Sequence, residues 1–365
     1  MTGTARHFFA RGNTAHGVHY LYHSAFQGLS KMVVLTGWPG TGKSTAIRGL
    51  ADAAINQGWS VELFHSPLNP DELDALIIPG LKIGVADGTV CEGLPSSSSV
   101  ETVYLEFGNA LNRSLLSEET VEQVETLQEQ LQTYYGKAYE SFLSALRVHD
   151  EWEKFYIEAM DFDKADELVH ELVDSLFGSR TVSQKASVRH LFFGAATPRG
   201  SVDHIQNLTA DLGRRILLKG RPGSGKSTLL KRLAAAAEAR GFDVEVFHCG
   251  FDPNSLDMLI FPEIGSAIFD STAPHEYFPK RDSDEILDMY ERLIVPGTDE
   301  RFAEELEPIK QRYSQKMKEA IAYLEEARQL DGRIKRFYTE ATDFTVVDRL
   351  NNELRQTVDE SASIR

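Results

Sequence analysis

Gly37-Trp38-Pro39-Gly40-Thr41-Gly42-Lys43-Ser44-Thr45 returns 183 residues later as Gly220-Arg221-Pro222-Gly223-Ser224-Gly225-Lys226-Ser227-Thr228. Both stretches match G-x-x-x-x-G-K-[ST], a loop that cradles phosphate. Its glycines let successive backbone N–H groups point inward at a polyphosphate. The lysine adds a point charge at the β/γ end, and the following serine holds Mg²⁺. The nucleotide-binding candidates are therefore Gly37, Gly40, Thr41, Gly42, Lys43, Ser44 and Thr45 in the first copy. Those of the second are Gly220, Gly223, Ser224, Gly225, Lys226, Ser227 and Thr228.

A pattern this short occurs by chance, so its surroundings decide. A buried-strand run precedes each loop, Met32-Val33-Val34-Leu35 and Ile216-Leu217-Leu218. An amphipathic helix follows each: Ile47, Leu50, Ala51 and Ala54 match Leu230, Leu233, Ala234 and Ala237, apolar at i, i+3, i+4 and i+7. Strand, loop and helix together predict a nucleotide site in both halves.

The spacing between the loops serves as a ruler for the rest of the chain. Arg6-His7-Phe8-Phe9 falls on Arg189-His190-Leu191-Phe192, Thr14 on Thr197, Gly17 on Gly200, and Phe64-His65 on Phe247-His248. Leu73-Asp74 falls on Leu256-Asp257, Pro79 on Pro262, and Asp87 on Asp270. Beyond these aspartates an apolar helical seam runs through Val124, Leu127, Leu131, Tyr135, Ala138, Phe142 and Ala145. It repeats at an offset of 182 as Leu306, Ile309, Tyr313, Met317, Ala320, Leu324 and Ala327. Phe155-Tyr156 and Asp161-Phe162 match Phe337-Tyr338 and Asp343-Phe344 at the same offset. Each half reads as strand, turn, helix, P-loop strand, P-loop helix, two further strands and a long helical portion. The repeats are assigned to residues 1–183 and 184–365. Pro95-Ser96-Ser97-Ser98-Ser99 and Pro279-Lys280-Arg281-Asp282-Ser283 read as loops. The seams predict helices packed on their own domain or on each other, with a partner-binding arm as the alternative.

A chain of 365 residues is long enough for two domains, each with its own core. With 55 acidic against 38 basic residues, its net charge of −17 argues against a general nucleic-acid or anionic-membrane surface. Cys91 and Cys249 stand at non-equivalent places and form no metal-ligand spacing, which predicts a reducing, cytoplasmic compartment. No apolar run reaches the roughly 18 residues of a membrane span, and the first residues lack the apolar core of a signal peptide.

Several residues in each half are candidates for chemistry. Val61-Glu62-Leu63-Phe64-His65 and Val244-Glu245-Val246-Phe247-His248 are strands ending in histidine. Ligands of parallel α/β folds sit beyond the carboxyl ends of strands, so His65 and His248 are candidates for substrate or phosphate contact. Asn69-Pro70-Asp71-Glu72-Leu73-Asp74 and Asp252-Pro253-Asn254-Ser255-Leu256-Asp257 read as short acidic helical starts. Ile83-Gly84-Val85-Ala86-Asp87 and Ser266-Ala267-Ile268-Phe269-Asp270 are apolar strands closed by aspartate. A carboxylate beside the P-loop strand completes a Mg²⁺ shell, so the metal set is Ser44 with Asp87 and Ser227 with Asp270. Lys43 and Lys226 are the catalytic cations. Gly88 or Ser271 follows the aspartate where fast ATP hydrolases carry glutamate, which leaves Asp71, Asp74, Asp257 or a histidine as the base. Trp38 is a candidate for base stacking, and Arg221 for added charge near the phosphates.

Together these motifs resemble a family of tandem P-loop proteins of bacteria described as ATPases or nucleotide-kinase-like proteins. The resemblance rests on F-F-x-x-x-T-x-x-G, as in Phe192 to Gly200, and on L-K-G-x-P-G-[ST]-G-K-S-T. It also includes Phe247-His248-Cys249 with Ser255-Leu256-Asp257, and Asp270-Ser271-Thr272-Ala273-Pro274-His275. The first half departs from it at Asp87-Gly88-Thr89-Val90-Cys91-Glu92, and Trp38 and Arg221 stand where family loops carry glycine.

The expectation is an α/β chain of two tandem P-loop NTPase domains. Each has a mostly parallel sheet flanked by helices and extended by a long helical hairpin. ATP and Mg²⁺ are the expected ligands; GTP stays open, although no N-K-x-D motif is evident. A slow Mg²⁺-dependent ATPase is the first functional expectation, with Arg6, Arg189 or Arg199 acting from the opposite half. The alternatives are a small-molecule or nucleotide kinase, and a nucleotide-gated scaffold whose helical hairpins bind a protein partner.

Overall fold

The computed structural model describes residues 2–94 and 100–363. The loop expected at Pro95 to Ser99 lies outside the described residues. The first repeat opens with β1 (Ala5–Phe8), the hairpin β2 (Arg11–Thr14) and β3 (Gly17–Tyr20), and the short α1 (Tyr22–Ala25). There follow β4 (Lys31–Thr36), α2 (Lys43–Asn56), β5 (Val61–His65), β6 (Leu73–Ile78), β7 (Ile83–Asp87) and β8 (Glu101–Glu106). Two helices close the repeat, α3 (Glu118–Ile157) and α4 (Phe162–Leu176).

The second repeat has β9 (Val188–Leu191), β10 (Gly194–Thr197), β11 (Gly200–Asp203), α5 (Ile205–Leu208), β12 (Arg214–Lys219) and α6 (Lys226–Ala239). It continues with β13 (Val244–His248), β14 (Leu256–Phe261), β15 (Ser266–Asp270) and β16 (Asp284–Asp288). Its helices are α7 (Met289–Leu293), α8 (Thr298–Arg301), α9 (Ala303–Glu340) and α10 (Phe344–Ser363).

Each repeat builds a six-stranded sheet, in the order β1-β5-β6-β7-β4-β8 and its counterpart β9-β13-β14-β15-β12-β16. Only β6 and β14 run antiparallel to their neighbours. The acidic stretches before them were expected to begin helices, and the structure places strands there. Asn69 to Glu72 is a turn, with the Glu72 N–H on the Asn69 carbonyl at 2.8 Å. Every residue of Leu73–Ile78 is buried, which suits a strand covered on both faces. The expected "turn" after β1 and β9 is a hairpin, closed by the Thr14 and Thr197 hydroxyls donating to the carbonyls of Gly17 and Gly200 at 2.8 Å.

The repeats meet about a local two-fold. Phe9 and Phe192, equivalent under the ruler, exchange both backbone hydrogen bonds at 3.0 Å. Around them Arg6 donates to Glu245 at 2.8 and 2.6 Å, while Arg189 pairs with Glu62. Two of the expected trans arginines therefore cross between the halves, but they end on buried carboxylates of the interface. Arg199 also crosses, and pairs with Asp71.

The long helices are not hairpins within their own domains. The 40-residue α3 and the 38-residue α9 lie against each other. Their small residues Ala138 and Ala320 pack with Phe142 and Leu324 near the middle. Val124 and Leu127 meet Leu330, Ile334 and Tyr338 towards one end, and Tyr156 meets Leu306 at the other. The apolar seams are buried on each other, so they offer no free face to a partner.

Each helix then delivers its successor to the opposite repeat. Leu168, Leu172 and Leu176 of α4 enter the core formed by Ile216, Leu230 and Leu259. Val347, Leu350 and Leu354 of α10 enter the core of Val33, Ile47 and Leu76. The boundary expected near residue 183 falls between α4 and β9, but each packed unit contains a helix from across it.

Candidate nucleotide-binding sites

The two P-loops have the same frame. Each links the end of the strand next to the sheet edge to a helix whose N-cap glycine is left-handed, Gly42 at φ 92° and Gly225 at φ 86°. The Lys43 ammonium donates to the carbonyls of Gly37 and Trp38, both at 2.8 Å, and lies 3.6 Å from Asp87. Lys226 donates to the Arg221 carbonyl at 3.0 Å and also lies 3.6 Å from Asp270. β7 and β15 pair in parallel with the P-loop strands, and the register sets Asp87 opposite Leu35 and Asp270 opposite Leu218. Sheet geometry therefore brings lysine and aspartate together. Each aspartate accepts from a threonine two residues on, Asp87 from Thr89 at 2.9 and 2.6 Å and Asp270 from Thr272 at 3.0 and 2.7 Å.

Ser44 accepts a hydrogen bond from the Leu73 N–H at 2.8 Å, and Ser227 from the Leu256 N–H at 3.0 Å. Thr41 is fully buried and donates to the Trp38 carbonyl at 2.8 Å. Its counterpart Ser224 is buried too, but its hydroxyl has no hydrogen-bond partner. Thr45 and Thr228 are exposed. Burial lowers the Lys43 ammonium, against the pull of Asp87, and raises the Asp87 carboxyl, against the pull of Lys43. Hard oxygen donors beside an ammonium, in a loop of glycines, suit a magnesium-bound polyphosphate.

His65 and His248 stand elsewhere, because β6 and β7, or β14 and β15, separate their strands from the P-loop strands. Nδ1 of His65 lies 2.7 Å from the Pro70 carbonyl and its Nε2 lies 2.8 Å from Nδ1 of His7. His204 of the second repeat packs on its ring at 4.8 Å. His248 repeats the pattern with Pro253 at 2.6 Å and His190 at 2.8 Å. Burial pushes both rings down to about 4, so they are neutral interface residues. Their expected phosphate role has no geometric basis here. Trp38 stacks on Tyr338 at 5.2 Å under Arg113, while Arg221 pairs with Asp299 at 2.8 Å over the Tyr290 ring. Both loop substitutions thus meet residues beyond the sheets.

The surroundings differ more than the frames. In the first half Asp74 is gripped by Arg11 at 2.6 and 3.2 Å and by the Tyr22 hydroxyl at 3.1 Å. The ruler puts Gly194 and Ile205 at those positions in the second half. Burial and the nearby Asp270 push Asp257, the counterpart of Asp74, up to about 6.

Sequence reasoning missed the helices that cover the loops. A Cβ on Gly40 would lie 2.4 Å from the Lys335 carbonyl, and one on Gly223 would lie 2.5 Å from the Glu153 carbonyl. The Thr339 hydroxyl reaches the Gly40 carbonyl at 3.0 Å. α9 thus roofs the first loop and α3 the second. The only sequence signal was the glycine at each loop tip, which permits such close backbone approach.

The family model of an AAA domain matches residues 28–198, slightly less than half of the chain. The match supports a P-loop NTPase domain in this chain, a kind of domain that suggests nucleotide binding. No curated protein and no solved structure matches the chain. Among the described residues no helix is long and apolar enough to cross a membrane.

Proposed function

We propose that this protein is a Mg²⁺-dependent ATP-binding protein with slow ATPase activity, in which nucleotide at either loop alters the contact between the two halves. The observation that carries this reading is the doubled constellation of P-loop lysine, serine hydroxyl and strand-end aspartate, each with a helix of the other half seated on the loop tip. Lys43 and Lys226 bind the β/γ phosphates. Ser44 with Asp87, and Ser227 with Asp270, hold the metal. The ion, when bound, neutralises charge on the phosphates. The chain's own part is to bind and orient them through loop amides and lysine, with no covalent step. Gly88 and Ser271 put no carboxylate after the metal-binding aspartates, which supports slow turnover.

The same absence favours a second reading, transfer of the γ-phosphoryl to an acceptor. Both are tested by calorimetric binding of ATP and GTP with Mg²⁺, phosphate release, and ADP formation with candidate acceptors. Lys43→Ala and Lys226→Ala are each expected to remove one of two binding events and to weaken binding there at least about tenfold. Failure of the unmodified chain to bind either nucleotide would overturn the reading. Acceptor-dependent ADP formation without phosphate release would replace hydrolysis by transfer.

A further inference from the structure

The roofing helices place equivalent residues on the two loops with opposite charge. Residues 335 and 153 correspond at the offset of 182, and both set their backbone against the tip glycine, Gly40 or Gly223. At the first loop the side chain is lysine. Its ammonium lies 2.5 Å from Glu72 and 2.8 Å from Asp331, and remains about a quarter exposed. Glu72 immediately precedes Leu73, whose N–H is held by the Ser44 hydroxyl. The ammonium is also close enough to depress Lys43, behind the larger effects of burial and Asp87. At the second loop the same position carries Glu153, beside His149 and Asp150. Ser255 replaces Glu72 there.

Carboxylates hold Lys335 at the mouth of the first site when no phosphate competes. A terminal phosphate carries more charge and three acceptor oxygens, so an ammonium exchanges a carboxylate for it readily. A carboxylate at the same place repels it. We propose that Lys335 is a phosphate-binding residue supplied by the second repeat to the first P-loop, where it selects triphosphate over diphosphate. The second site, roofed by Glu153, lacks that selectivity. This rests on the proposed nucleotide binding and adds a direction to it: the first site reports the γ-phosphate to the helix pair.

The test is calorimetric titration of full-length protein with Mg²⁺ and either AMP-PNP or ADP, one site being silenced at a time. With Lys226→Ala silencing the second site, the first is expected to prefer AMP-PNP. Lys335→Gln should weaken AMP-PNP about tenfold with ADP unchanged, while Lys335→Arg retains the preference. With Lys43→Ala silencing the first, Lys335→Gln should change nothing, and Glu153→Lys should create a preference for AMP-PNP. Equal weakening of both nucleotides by Lys335→Gln would overturn the proposal, since a lysine that only pins α9 to Glu72 acts on both alike. No effect on either would overturn it too. If the unmodified chain binds neither nucleotide, the failure belongs to the nucleotide reading itself.

Discussion

The two P-loops share one backbone frame and one set of lysine, aspartate and serine, and differ in the side chains that surround it. Both set lysine 3.6 Å from a strand-end aspartate. Both hold the loop serine on the first N–H of an antiparallel strand. Around that frame the first half has Arg11 on Asp74, Trp38 on Tyr338 and Lys335 over the tip. The second has an aspartate without an arginine, Arg221 on Asp299 and Glu153 over the tip. Strand register and glycine conformation are common to both because changing them would break the sheet. The shell is set one side chain at a time, so it is where two copies of one site diverge.

That contrast is easiest to break at Arg11. Arg11→Met leaves Asp74, 4 % exposed, without its cation and imitates the surroundings of Asp257. Removing one partner of a buried pair costs about 3–5 kcal/mol. Urea denaturation is expected to record a loss of that size, with partial recovery in Arg11→Met/Asp74→Asn. A loss well under about 1 kcal/mol would mean that Asp74 does not need the arginine.

Acid should expose a second, smaller difference. Burial pushes His65 and His248 down to about 4 and His204 down to about 3 in the folded chain. An unfolded histidine titrates near about 6.5, so the folded state binds fewer protons between these values. The stability the rings contribute is complete above about pH 6.5 and drains away as pH falls through these values. His204→Leu copies Leu21 of the first repeat and removes one ring from the cluster around His65. Urea midpoints measured between neutral and mildly acidic pH should then fall less steeply than in the unmodified chain. An unchanged slope would contradict burial of a neutral ring there.

Trp38 gives the smallest effect. The ring is 38 % exposed and stacked on Tyr338, so Trp38→Ala should cost about 1 kcal/mol. Nucleotide binding at the first site should persist. Loss of binding together with unchanged stability would return Trp38 to the role of a base-stacking residue.

Much of this was legible in local sequence, because its causes are local. A P-loop needs its glycines and lysine in one run, the strand before it is an unbroken apolar run, and the paired aspartate closes another. The strands β6 and β14 were hidden behind Asn-Pro-Asp-Glu and Asp-Pro-Asn-Ser, whose turn chemistry imitates a helix start. The edge strand β8, with Glu101 and Tyr104 exposed, has little apolar signal at all. The exchange of α4 and α10 leaves no local trace. Leu168, Leu172 and Leu176 form an apolar stripe that fits either sheet, and only the length of α3 decides which one it reaches. For the same reason Lys335, almost three hundred residues after the loop it covers, carried no motif.

The exchanged helices also bear on what the connection between the repeats does. Severing the chain between α4 and β9 would leave neither fragment with a complete core, since α4 would stay folded into one unit and α10 into the other. The fragments would remain entwined like two hands gripping each other's wrists, and neither could be released without unfolding. The covalent link therefore serves less to hold the halves together than to fix their ratio at one to one, so that each site is always met by the unlike helix.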